Sequence, residues 1–529
     1  MKSFKNTNGF YVYFGIQEGL KAIITDEYTE STISLLFNID GLPLYHGSSE
    51  QFWINSGLVL HNQYECQPFI VAAYSGNSKP QSVDEFLQDF VTEASYLVQN
   101  VATIGQREFK VEIIGFSCDT PARSFIKKCK GHGGFYACER CETRGITKHK
   151  RRVYPSMNSK QRTDDSFRRQ RQKEHHLEGR SPLLDITHFD PVRSVFLDSM
   201  HLFYLGNMKW ILEQLLGINK KINRKCKLHT RDVKLLNSNL KILLRYVPKE
   251  FQRKTLDLDE LSHWKATQYR FFLHYCGALA LRNVLSKNMF RHFLLLVVAC
   301  RILCNPDLCL KHTNYAKELL RKFVELLPSF YGPYSQVINN HNLIHVADDV
   351  EFTKLSLSEI SAFPFENKLG KIKRKIRGKK KPVAQLVRRE SEERACPIIM
   401  KKNAIHRKRD VIVNPDIPDE YAVDLESIIL HGVEINTSKP NSIVQLDSNE
   451  ILRITKMKRE GQNIFVHGFG FKTVMDVFKF PCESTKVGIM KLGRLSRKEK
   501  IVSLKNIRKK CVLFENDSNT FAVTFLHNT

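Results

Sequence analysis

Between Ser31 and Asp119 the apolar positions change period twice. "STISLLFNID", "QFWINSGLVLH" and "QPFIVAAYSG" are short apolar runs separated by polar connections, which predicts three strands, the first ending at Asp40. "SVDEFLQDFVTEASYLVQNVA" then sets Val83, Phe86, Leu87, Phe90 and Val91 at helical spacing behind a serine N-cap. "REFKVEIIGFSCD" returns to strand and ends at Asp119. The order is three strands, a helix and a fourth strand, with an acid at the C-terminal end of the first and the fourth.

After Asp119 the pattern breaks. Residues 148–190, opening on "KHKRRVYPSMNSKQRTDDSFRRQRQKEHHLEGR", are basic and polar and read as a mobile loop or an arm on DNA. From about Pro191 to Pro328 the period is helical, as in "MKWILEQLLGI", "LKILLRYV" and "YAKELLRKFVELL", which predicts an all-α insertion. Within it, "HFLLLVVACRILC" is about two-thirds of a bilayer span and is broken by Arg301, so it reads as a core helix. Beyond a second basic linker, short β-rich runs such as "NIFVHGFGFK" and "KCVLFENDSNTFAVTFL" predict a small barrel or sandwich. The expected division is a lead (1–30), the first part of a core (31–147), a basic loop (148–190), a helical insertion (191–345), a final core helix (346–393), a basic linker (394–425) and a β-rich domain (426–529).

The chain of 529 residues is too long for one compact core. Its 82 Lys and Arg against 55 Asp and Glu give +27, with a pI near 9.5. That excess favours a polyanionic partner, nucleic acid first and an anionic membrane surface second. Thirteen cysteines, an odd number, without an apolar signal region at the N-terminus, point to reduced thiols and a metal site. Nucleus or cytoplasm is the expected compartment, with no membrane partner.

Three acids carry the candidate chemistry. Asp40 and Asp119 at neighbouring strand ends, joined by Glu366 on a late helix, make the arrangement of an RNase H-like nuclease core. Converging carboxylates suit Mg²⁺, and a pair of such ions about 3.5–4 Å apart stabilises the attacking and leaving oxygens of a phosphoryl displacement. Any one of these acids also has a plainer reading, as a turn or cap residue. In "AFPFENKLGKIKRKIRGKKKP", helical spacing places Phe365, Leu369, Ile372 and Ile376 on an apolar stripe, with Lys368, Lys371 and Lys375 on another face. Glu366 would border the core in the first turn after Pro364, or simply complement the helix dipole. Eight of the eleven residues from Lys371 to Lys381 are cations.

"KKCKGHGGFYACERCETRG" holds Cys138-x-x-Cys141, a zinc half-site that Cys129 and His132 could complete locally. His341 and His345 in "NNHNLIHVADD" lie at i, i+4 on one face of a predicted helix and complete it alternatively. That tetrahedron would pin the segment after Asp119 to the helix before Glu366. Asp198-x-x-His201 in "FLDSMHLFYLG" reads by itself as a helix-surface pair.

Together these segments resemble the DDE transposases of the CACTA (En/Spm) superfamily. "FNIDGLP" resembles that family's first-Asp strand, "GFSCDTPAR" its second, "GGFYACERCETRG" the CxxC that follows, "DSMHLFYLG" the DxxH signature and "FPFENKLGKIKRKIRG" its glutamate block. The spacing of the CxxC and the paired histidines is similar to that of Transib transposases and the V(D)J recombinase catalytic subunit, where those four residues bind zinc. The resemblance implies an α/β RNase H-like core interrupted by an all-α insertion, with Asp40, Asp119 and Glu366 binding two Mg²⁺ or Mn²⁺. It implies His201 approaching the scissile phosphate, supported by Asp198, and structural Zn²⁺ on Cys138, Cys141, His341 and His345. Lys368, Lys371, Lys373, Arg374, Lys375 and Arg377 would hold DNA phosphates, and the protein would act as a homo-oligomer on transposon ends and target DNA in the nucleus. The alternatives are a catalytically silent DNA-binding or chromatin protein and an RNase H-like nuclease.

Overall fold

The computed structural model describes residues 2–3, 9–218, 226–253, 256–407, 411–414, 423–516 and 518–526. Of the expected basic linker, residues 408–410 and 415–422 lie outside the described residues. The chain is mixed α/β, with a helical middle and a β-rich C-terminal region, and divides into two units: Met1–Leu202 with Gln336–Lys408, and Phe203–Ser335 with Arg409–Thr529.

The first unit is built on an eight-stranded sheet. Its strands are β1 (Lys2–Ser3), β2 (Phe10–Tyr13), β3 (Thr32–Pro43), β4 (Gln51–Val59), β5 (Phe69–Gly76), β6 (Val101–Ile104), β7 (Arg107–Cys118) and β8 (Val195–Leu197). They lie in the order β1-β2-β5-β4-β3-β7-β8, with β6 folded back on β7. β4 runs antiparallel to β3 and β5, whereas β3, β7 and β8 are mutually parallel.

Parallel central strands must be covered on both faces, and the sequence supplies both covers. On one face Leu35, Phe37 and Ile39 pack with Phe86, Leu87 and Phe90 of α2 (Val83–Gln99), which Ser82 caps through Glu85 N–H (3.1 Å). On the other, Phe52, Ile54 and Ile70 pack with Leu369, Ile372 and Ile376, the stripe predicted for the helix Phe363–Lys375, and with Val383 and Leu386 of the helix Pro382–Arg394.

Four expectations change. The lead is part of the core, since β2 pairs with β5 and α1 (Ile16–Ile23) buries Ile16, Leu20 and Ile23. β3 runs three residues beyond Asp40, because its antiparallel partner β4 continues the ladder to Pro43. β8 was hidden at the head of the helical block, where three residues are too few to show a period. The basic stretch 148–190 packs down instead of standing off as an arm. It holds a hairpin, Ile146–Lys148 with Arg151–Val153, and buries Tyr154, Arg162 and His175, with Arg162 satisfied by the Cys138 carbonyl (3.0 Å).

The expected insertion is also divided. Residues 203–335 group with the C-terminal strands, while 191–202 and 336–345 belong to the acidic core. In this second unit the apolar run is the buried helix Lys287–Leu303. Arg301, fully buried, donates to the carbonyls of His274 and Val487 (both 2.6 Å) and to Thr524 Oγ1 (3.0 Å). The C-terminal region holds a nine-stranded sheet and a three-stranded one. Among the described residues no helix is long and apolar enough to cross a membrane.

Candidate active site and metal centre

Strand register brings the acids to one level. β3 and β7 pair through Phe37 and Phe116, and β7 and β8 through Cys118 and Leu197. One further step sets Asp198 beside Asp119, and three further steps along β3 bring Asp40 to the same height. The C-terminal ends of parallel strands are where open α/β sheets place their sites. Asn38 Nδ2, donating to the Ser117 carbonyl (2.7 Å), holds β3 and β7 together just below.

Each acid is then fixed locally. Asp40 Oδ1 accepts the N–H of Gly41 (2.7 Å). Asp119 caps α3 (Thr120–Ile126) by accepting from Ala122 N–H (2.8 Å). Asp198 is buried and has the most partners: Oδ2 accepts from His201 Nδ1 (2.7 Å) and N–H (3.0 Å), while Oδ1 accepts from the N–H of Ala362 (2.8 Å), the N-cap of the Glu366 helix. It is therefore a buried hub between the sheet, His201 and the start of that helix, and not half of a helix-surface pair. His201 lies where π-helical bonding begins at Met200, a geometry that recurs at functional positions.

The electrostatics follow from this crowding. Burial, then the charges of Asp119 and Glu366, push the Asp40 carboxyl up to about 7, against the opposing pull of His201 and the Gly41 N–H. Burial works against a charged His201, yet Asp198, Asp119 and Asp40 outweigh it and raise its pKa. Burial also opposes ionisation of Asp198, but the His201 ring holds it below the usual carboxylate range. Glu366 itself is exposed, so the expectation that it borders the core is corrected. The stripe beside it, not the glutamate, fills the core.

The second cluster is tighter. Ligand atoms of Cys138, Cys141, His341 and His345, all buried, lie within 4.8 Å of one another. Cys138 Sγ and Cys141 Sγ are 3.5 Å apart, and Cys141 Sγ and His341 Nε2 3.4 Å. Tetrahedral zinc with its usual bond lengths separates two thiolates by about 3.8 Å, so the four residues can hold a metal ion such as zinc. The backbone N–H groups of Arg140 and Cys141 point at Cys138 Sγ (both 3.4 Å), His341 Nδ1 meets the Tyr154 carbonyl (3.2 Å), and His345 Nε2 is buried without a hydrogen-bond partner. Burial disfavours the Cys138 thiolate, but Cys141, His345 and His341 hold its pKa well below the ordinary thiol range, while the bond to Cys138 pushes Cys141 up. The histidines do not share one helix face. His341 lies in the helix Ile338–Asn342 and His345 caps the next, Val346–Thr353, the break letting both rings converge. The local alternative fails because, among the described residues, the set drawn within 4.8 Å around the CxxC is completed by His341 and His345 and includes neither Cys129 nor His132, which is exposed.

A family model described as a domain of unknown function, DUF8592, matches residues 406–526. No curated protein matches the chain. The match covers the β-rich region and leaves the acidic and cysteine sites outside it.

The predicted cations separate on inspection. Arg374 and Arg377 are exposed; Lys371 and Lys373 are exposed too, with hydrogen bonds to Gln67 Oε1 (3.3 Å) and the Pro43 carbonyl (2.6 Å). Lys375 is turned inward by Glu390 (2.7 Å) and Glu393 (2.8 Å), clasping two helices, and burial drives the pKa of Lys368 down. Lys375, held by both glutamates, is not placed to meet phosphate, whereas Lys368 is half-buried.

Sequence reasoning missed the residues inside the CxxC. Glu139 pairs with Arg123 (2.9 Å) and Lys127 (3.1 Å) on or beside α3, the helix that Asp119 caps. Arg140 donates to the carbonyls of Val192 and Val195 (2.9 Å) and to Asp349 (2.6 Å), whose other oxygen accepts from Leu197 N–H (2.7 Å), one residue before Asp198. The motif's spacing was the available signal; the partners, far away in sequence, were not.

Proposed function

We propose that the first unit is the catalytic core of a DDE-type DNA transposase, or of a protein derived from one that keeps its strand-cleaving and strand-transferring chemistry. The observation that carries this reading is the levelling of Asp40, Asp119 and Asp198 at one height across three adjacent parallel strands, with the Glu366 helix tied to Asp198. The order β5-β4-β3-β7-β8, in which only β4 is reversed, supports an RNase H-like core.

Asp40, Asp119 and Glu366 are the residues that would hold Mg²⁺ or Mn²⁺, which when bound supplies charge stabilisation to the attacking and leaving oxygens of a phosphoryl displacement. Hard carboxylate oxygens suit these ions, and the mutual repulsion at Asp40 is what a cation relieves. Asp198 favours the cationic form of His201 and holds Nδ1 turned inward, leaving Nε2 to donate to a phosphate oxygen. Lys371, Lys373, Arg374 and Arg377 bind the DNA backbone, with transposon ends and target as partners, in a homo-oligomer in the nucleus.

A catalytically silent DNA-binding protein is the second reading. It is favoured by the spacing of the carboxylates, since among the described residues the Cys/His set is the one group of potential ligands drawn within 4.8 Å. Supercoiled plasmid carrying candidate terminal repeats decides between them. Wild type should nick it with Mg²⁺ or Mn²⁺, and Asp40→Asn and Glu366→Gln should each lower the rate by about a hundredfold or more. Equal nicking by all three proteins overturns the triad.

A further inference from the structure

The β-rich region carries a surface of a different kind. β9 (Ile451–Glu460), β10 (Asn463–Phe471) and β11 (Leu495–Ser503) are neighbouring antiparallel strands with β10 in the middle. Ile454, Met457, Val466 and Val502 face one apolar cluster. Alternation along β10 therefore sends Phe465, His467 and Phe469 to the other face.

On that face each ring stands directly opposite a cation of β9: Phe465 opposite Lys458, His467 opposite Lys456 and Phe469 opposite Arg453. Across β11 their partners are Ser503, Ile501 and Glu499. The rings are half-buried; Lys456 and Ile501 are exposed, Ile501 to 60%. Lys456 pairs with Asp424 (2.7 Å) and Arg453 with Glu515 (3.3 Å). Such pairs carry little net stability near solvent, so phosphate can replace the acids. From Val423 to Leu526 seventeen Lys and Arg stand against eleven Asp and Glu.

A row of rings beside a row of cations is complementary to a polymer that carries flat bases along a phosphate chain. Spacing selects the form of that polymer. Alternate residues of a strand are about 6.8 Å apart, twice the roughly 3.4 Å between stacked bases of a duplex, so a base can settle on each ring only when the bases are separated from one another.

We propose that this face binds single-stranded DNA, with bases on Phe465, His467 and Phe469 and phosphates along Arg453, Lys456 and Lys458. The stacking stands on the sheet alone; the choice of DNA over RNA rests on the function proposed for the acidic site.

Fluorescence anisotropy of the full chain tests it, in an Asp40→Asn background so that no probe is cut. The probes are labelled oligo(dT), a hairpin duplex of the same length and oligo(U). Wild-type β10 should prefer oligo(dT). Phe465→Ala and Phe469→Ala should each weaken it roughly fivefold to a hundredfold without changing duplex binding, Phe465→Trp should restore it, and Lys458→Ala should lower the salt slope by about one. Phe465→Leu, which keeps apolar bulk without a ring, should lose affinity with its melting temperature unchanged. Retention of oligo(dT) affinity in the Leu variant, or a wild-type preference for duplex, overturns the platform. Ring-dependent preference for oligo(U) overturns the assignment to DNA, while plasmid nicking tests the acids separately.

Discussion

At the scale of single residues, Asp40 concentrates the cost of the acidic site. Its folded-state pKa of about 7 lies above the ordinary 3.8, so its contribution to stability is present below about pH 4 and is lost as pH rises through 7. Without divalent metal, Asp40→Asn should therefore be more stable than wild type at pH 8, by about 2 kcal/mol once solvent screening is allowed for. The gain should shrink towards zero at pH 4; thermal melts in metal-free buffer at the two pH values measure it. A variant no more stable than wild type at pH 8 would mean that the carboxylates do not crowd one another. Asp198 shows the opposite balance, a buried acid whose two oxygens are both engaged, and its Ala362 contact could not be read from a DxxH motif because the two residues are far apart in the chain.

At the scale of elements, the Cys/His cluster draws its four ligands from three short segments, the CxxC loop and two short helices. The hairpin after Cys141 and the two short helices bearing the histidines are each too small to be stable alone. A bound metal supplies folding free energy to such pieces, and the residues between the cysteines carry that order to α3 and β8 through Arg123 and Asp349. Purified protein should contain about one equivalent of zinc. Cys138→Ser and His345→Ala should lose it and melt at lower temperature, whereas Cys129→Ser should keep it; elemental analysis with melting curves gives the answer, and full retention in both ligand variants would reject the site. The CxxC and the histidine pair were legible as ligand types at suggestive spacings. Their convergence into one set was expected from that spacing and is found, but the means was not legible, because it depends on a helix break at Leu343–Ile344 and on Tyr154 arriving from a stretch whose charges read as solvent-exposed.

At the scale of the whole molecule, buried neutral histidines set the response to acid. Burial drives His175 down to about 3, and His176 and His292 to about 4. The unfolded chain takes up these protons near pH 6.5 and the folded chain does not, so stability rises with pH between about 4 and 6.5. At pH 5 each should cost about 2 kcal/mol, and His292→Phe should flatten the dependence seen in urea unfolding at pH 5 and 7.5. Local pattern sufficed for the strands and helix from Ser31 to Asp119, for the apolar stripe behind Glu366 and for the β-rich C-terminal region, since periodicity is a property of neighbours in sequence. It also sufficed to nominate the acids and the metal ligands by residue type. Only the folded chain decided that β8 joins the sheet, that Asp198 is a hub, that Lys375 turns inward to two glutamates, and that the helical insertion groups with the C-terminal strands. Each of these depends on register or on contacts between distant residues, whose energies appear only when the backbone closes the distance.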